Sequence, residues 1–175
     1  MIWNYTDSMS STHRADAERL YEEAHAALTA GNSDEALMAY DQGIQALYEE
    51  LAQERSGTVD AIMALPRDDL DSFFKRDDLA AKLMCEKAVA SLNSGDPALA
   101  EQLLGDSIEA LPQGSAYTDP FAFLSLVHVL RASENDTRAD YAMLESKDLD
   151  KPFSLLTSGV VPPEAIAAAK RFLQA

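Results

Sequence analysis

Gly31-Asn32-Ser33-Asp34-Glu35-Ala36 and Gly95-Asp96-Pro97-Ala98-Leu99-Ala100 each lie between two stretches of helical apolar spacing. In both, a glycine ends one helix, a capping residue starts the next, and an alanine stands where two helices approach closely, so a helical hairpin is written twice. Before the first break, Ala17, Leu20, Ala24, Ala27 and Leu28 share one helix face. After it, Leu37, Tyr40, Ile44, Leu47, Tyr48 and Leu51 keep the same period. Asn32 and Glu35 have the spacing of a capping box, in which the first side chain accepts orphan amide protons and the second reaches back. Around the second break run Ala80, Leu83, Met84, Ala88 and Leu92, then Leu99, Leu103, Leu104, Ile108 and Leu111. Asp96-Pro97 is a strong start, because the carboxylate caps and proline has no amide proton to leave unbonded in the first turn.

A third hairpin opens at Asp119-Pro120, runs through Phe123, Leu126, Val127 and Leu130, breaks near Ser133 to Asp136, and resumes at Ala139, Met143 and Leu149. Pro162-Pro163-Glu164 then begins a last amphipathic helix, with Lys170-Arg171 placed where positive charge suits the helix dipole. The segment between the first two hairpins fits no repeat: Thr58 to Leu65 reads as a short helix stopped by Pro66, followed by an acid-rich stretch around Phe73-Phe74. Nothing alternates with a period of two for long enough to form a strand. The expected fold is therefore all-α, stacked antiparallel hairpins near 17–54, 79–112 and 120–150, with an insert at 56–78 and a capping helix at 163–174. Residues 13–175 form one domain behind a loose arm at 1–12.

The whole chain has 175 residues, enough for one core. Thirty acidic residues against fourteen basic ones give a formal charge of −16, which repels nucleic acid and anionic lipid and favours basic or amphipathic partners. Solubility in a salty or crowded cell explains the same acidity. No apolar run approaches the roughly 20 residues of a membrane span. The first residues lack the basic head and apolar stretch of a secretory signal, and Cys85 is the single cysteine. A cytoplasmic location follows as the expectation.

The hairpins resemble the tetratricopeptide repeat, whose second helix carries an alanine four residues before a large side chain. Ala36 with Tyr40, Ala100 with Leu104, and Ala139 with Met143 stand at those places. In the first helices, Leu20 with Ala24, Met84 with Ala88, and Phe123 with Val127 supply the large residue and the small crossing residue. Departures are plain: the first-helix glycine is replaced by Ala24, Ala88 and Val127, the first unit ends in Tyr48 rather than proline, and the spacing between units is 64 and then 39 residues. The first hairpin alone also resembles three-helix modules that dock on trafficking-complex tails. In length and charge the chain is similar to small acidic helical-repeat chaperones of bacterial secretion systems.

The tetratricopeptide resemblance implies a concave face lined by the first helix of each hairpin. Glu18, Tyr21, Glu22 and His25 would face it from the first unit, and Lys82, Cys85, Glu86 and Val89 from the second. Phe121, Leu124, Ser125, His128 and Arg131 would follow from the third, although Leu124 lies in an apolar run that suits burial and His128 must find a hydrogen bond there. The subclass that grips a terminal carboxylate uses lysine, arginine and asparagine at these positions. The local charge of Glu18 and Glu22 opposes that use. Phe73 and Phe74 form a further candidate interface, with burial between the hairpins as the competing reading.

Catalytic constellations are not legible. His13, His25 and His128 belong to separate segments, no glycine-rich phosphate loop precedes a helix, and Asp68, Asp69, Asp71, Asp77 and Asp78 lack the alternation and central glycine of a calcium loop. The expected function is non-enzymatic, without cofactor or metal: an adaptor or dedicated chaperone that binds a peptide or helix of a partner protein. The alternatives are an acidic mimic that occupies a nucleic-acid-binding protein, a secretion-type chaperone, and a homodimer built on the insert.

Overall fold

Gly31 and Gly95 take left-handed backbone angles, φ 84° and 83°. At the first, the amide of Asn32 bonds the carbonyl of Ala27 and that of Gly31 bonds Leu28; at the second, Asp96 bonds Ser91 and Gly95 bonds Leu92. Both are Schellman turns, so the two quoted stretches fold by one device. In a computed structural model of the protein, residues 5–55, 57–64, 77–131, 149–157 and 159–174 are described. They hold eight helices: α1 (Tyr5–Thr29), α2 (Ser33–Glu54), α3 (Val59–Met63), α4 (Asp78–Asn93), α5 (Pro97–Ala110), α6 (Asp119–Leu130), α7 (Asp150–Phe153) and α8 (Pro163–Gln174). The fold is all-helical among the described residues, and no helix there is long and apolar enough to cross a membrane.

Side chains cap α3, α4 and α5 but not α2, α6 or α7. Asp96 accepts from the Leu99 amide at 3.0 Å, so α5 is capped as its sequence predicts, and Thr58, expected inside the short helix, instead caps α3 by accepting from Ala61 at 3.2 Å. Asn32 makes no such bond to α2. Its amide nitrogen instead points at the Glu35 carboxylate, at 3.5 Å, so the expected capping box does not form. At α6, Thr118 occupies the cap position and Asp119 is already inside the helix. α1 reaches back to Tyr5, within the segment 1–12 expected as a loose arm.

Packing runs in chain order: α1 on α2, α2 on α4, α4 on α5, α5 on α6, and α6 on α8. The small residues that the sequence placed at crossings, Ala24, Ala36, Ala88, Ala100 and Val127, are fully buried, as are Tyr40, Leu104 and Phe123. One continuous core results. α3 adds a small second cluster, in which Ile62 packs against Leu51 and Ala52 at the far end of α2. Gly43, in the middle of α2, permits the approach of α4: a Cβ there would lie 2.8 Å from Leu83 Cδ2. The expected second helix of the third hairpin, with Ala139 and Met143, falls outside the described residues, as do Phe73 and Phe74. Beyond that gap, Pro152 sits in the first turn of the short helix α7, where its missing amide proton is not needed.

Candidate functional site

α4 is apolar on nearly every side, and a carboxylate in its middle needs polar partners. Glu86 is 5% exposed and receives three of them from two other helices. The Tyr21 hydroxyl of α1 donates to Oε1 at 2.9 Å, the Tyr40 hydroxyl of α2 donates to Oε2 at 2.6 Å, and His25 Nδ1 of α1 lies 2.8 Å from Oε2. Tyr21 and His25, one helical turn apart, stack with ring centroids 6.0 Å apart. Glu86 thus joins the first three long helices at one point and fixes how Tyr21 is presented.

Next to this node, α1 and α4 border an open cleft of about 600 Å³ lined by Arg14, Glu18, Tyr21, Glu22, Leu79 and Lys82, among others. Arg14 of this lining is held by Asp77, which caps α4 through the Leu79 amide and takes the guanidinium as a two-bond partner at 2.5 and 2.9 Å. The Asp77 hydrogen bonds and charge hold the Arg14 guanidinium above its usual range. The Lys82 ammonium lies 5.9 Å from the centroid of the Tyr117 ring, which comes from the segment joining α5 and α6.

Of the residues expected to face a groove, Glu18, Tyr21, Glu22 and Lys82 are brought together in this cleft, and His25 and Glu86 adjoin it through their shared hydrogen bonds. Cys85, Val89 and Ser125 do not face an open surface. Each is buried, Ser125 bonding the Ala122 carbonyl, because α4 and α6 are covered on more sides than a one-faced pattern implies. Phe121, Leu124 and His128 are half-buried on α6, and Arg131 pairs with Glu101 of α5 at 2.7 Å; none of them lines the cleft. His128 Nδ1 is buried without a hydrogen-bond partner among the described residues, so the bond its sequence setting demanded is not supplied there. Arg14 and Leu79 lie just ahead of the apolar patterns that begin at Ala17 and Ala80, and so were missed. The signal for Arg14 is its position one helical turn before Glu18.

Burial, then the Glu86 charge, pushes the Tyr21 and Tyr40 hydroxyls up from their ordinary range, and burial does the same to Tyr117 and to the Cys85 thiol. The folded state therefore keeps protons that the unfolded chain releases from about pH 8.5 for cysteine and about pH 10 for tyrosine. Stability from these groups is complete below those values and falls as pH rises through them, by up to about 1.4 kcal/mol per pH unit for each group. In an alkaline titration, the phenolate absorbance of Tyr21, Tyr40 and Tyr117 is expected to rise only together with loss of helical circular dichroism. Ionisation of all six tyrosines ahead of unfolding would contradict the buried network.

No protein-family profile, curated protein or solved structure matches this chain.

Proposed function

We propose that the protein is a non-enzymatic interaction module of the cytoplasm, an adaptor or dedicated chaperone, which holds a peptide or helix of a partner protein along the α1 and α4 face. The observation that carries this reading is the open cleft between the leading helices of two hairpins that turn by the same Schellman geometry. Packing in chain order, with small residues at the crossings, is the arrangement expected of tetratricopeptide-like stacking, in which leading helices form the receiving side. Exposed Glu18 and Glu22 sit beside half-buried Tyr21, Leu79 and Lys82, a combination of polar rim and apolar floor suited to a polypeptide. The acidic balance of the chain favours a basic or amphipathic segment.

A photo-crosslinking residue at position 22, compared with one at the exposed Met38 of α2, tests the assignment in the host cell. The expected result is a discrete adduct from position 22 and none from position 38. Adducts from position 38 alone, or the same adducts from both, would place the binding surface elsewhere.

A further inference from the structure

We infer that the first hairpin is a jaw on the second: α1 and α2 roll as one body about the α2–α4 contact, and two polar latches between α1 and α4 hold the cleft at its present width. The device regulates the cleft of the docking reading above. Its test needs no partner, so either can fail without the other.

α1 packs on α2 and α2 on α4, whereas α1 and α4 meet directly at few places. The first hairpin moves as a unit because its helices are joined by the Schellman turn at Gly31 and by the most extensive helix packing among the described residues. Two contacts one helical turn apart mark the pivot. Gly43 of α2 presents bare backbone to Leu83 of α4, so close that a Cβ would lie 2.8 Å from Leu83 Cδ2. The Tyr40 hydroxyl donates to Glu86 at 2.6 Å. Helices interlock where ridges of side chains enter grooves, so a face without a side chain resists turning least.

The latches lie about two to three turns apart on α1, and each gathers the same three helices. At one, Arg14 of α1 donates to both oxygens of Asp77, at 2.5 and 2.9 Å, with Glu50 of α2 3.8 Å away. At the other, the Tyr21 hydroxyl and His25 Nδ1 reach Glu86 at 2.9 and 2.8 Å, beside Tyr40 of α2. The acceptors stay with α4 when α1 leaves. Asp77 caps α4 through the Leu79 and Ala80 amides, and its own amide bonds the Ala110 carbonyl of α5, while Glu86 keeps Tyr40. Opening therefore releases Arg14, Tyr21 and His25, each partly exposed already and able to exchange its partner for water at small net cost. The apolar packing of α2 on α4 persists, as in the shear of packed helices.

The test reads two distances by pulsed electron paramagnetic resonance in a Cys85→Ala background. Spin labels at Glu22→Cys and Asp78→Cys, both exposed and bordering the cleft, report its width. Labels at Glu22→Cys and Met38→Cys report the hairpin itself. Arg14→Gln, Tyr21→Phe and His25→Gln together remove both latches from the α1 side. The distance across the cleft is then expected to lengthen or spread by about 2 Å or more, with the hairpin distance and helical circular dichroism unchanged. An unchanged cleft distance would show that packing sets the width and would overturn the inference. Equal changes in both distances would also overturn it, because the hairpin would not then move as one body. If the triple variant loses helix, Arg14→Gln alone decides: its cleft distance should lengthen or spread by about 1 Å, and no change overturns the inference. The crosslinking comparison decides the docking reading separately.

Discussion

Glu86→Ala is expected to destabilise the protein by on the order of 3 kcal/mol, read as a lower urea midpoint by circular dichroism. The change strands the Tyr40 hydroxyl, whose residue has no solvent exposure, and removes the acceptor shared by Tyr21 and His25. His25 and Tyr21 are partly exposed and can turn to water, so most of the cost comes from Tyr40 and from the space vacated in the packing. Glu86→Gln keeps the volume and one acceptor oxygen and should cost about 1 to 2 kcal/mol. Tyr40→Phe removes the most buried donor. Combined with Glu86→Gln, it should show a coupling of at least about 0.5 kcal/mol, as groups in direct contact do. An alanine variant as stable as the natural chain would show that the three donors are satisfied without this carboxylate.

Phe123→Ala is the second large effect expected, about 3 to 5 kcal/mol. Its ring has no solvent exposure and meets Phe153 edge-on, with centroids 5.7 Å apart and planes at 72°, so it fastens α7 to α6. Truncation opens a cavity where α7 meets α6. Met38→Ala provides the contrast. That side chain is 66% exposed on α2, and its loss should change stability by no more than about 0.5 kcal/mol. Comparable effects from the two variants would contradict the burial pattern on which the helix order rests.

What the sequence made legible is what local chemistry decides. The glycine turns, the Asp96 cap, the helix at 163–174 and the small crossing residues Ala24, Ala36, Ala88 and Ala100 depend on neighbours within a few positions, and the structure places them as their spacing predicts. Asn32 fails as a cap although its residue type is right, because its side chain turns to Glu35 instead of the amides. Glu86 was read only as a groove carboxylate. Its bond to Tyr40 spans 46 positions, and no linear period registers such a partner. Gly43 passed unnoticed for a related reason: an absent side chain becomes informative only once Leu83 of α4 is known to press against it. The leading-helix positions divided for a geometric reason. Glu18, Tyr21, Glu22 and Lys82 reach the cleft, while Cys85 and Val89 lie on sides of α4 covered by its neighbours.

The most direct test of the central claim, that the α1 and α4 face receives another polypeptide, is a titration of isotope-labelled protein with a basic amphipathic peptide in which leucine alternates with arginine, followed through backbone amide resonances. The account predicts shifts concentrated at residues 14–25 and 78–86, with the turns at Gly31 and Gly95 and the outer side of α2 unmoved. Shifts centred on those turns, on α8 or on the outer side of α2, with the 14–25 and 78–86 signals unchanged, would contradict it.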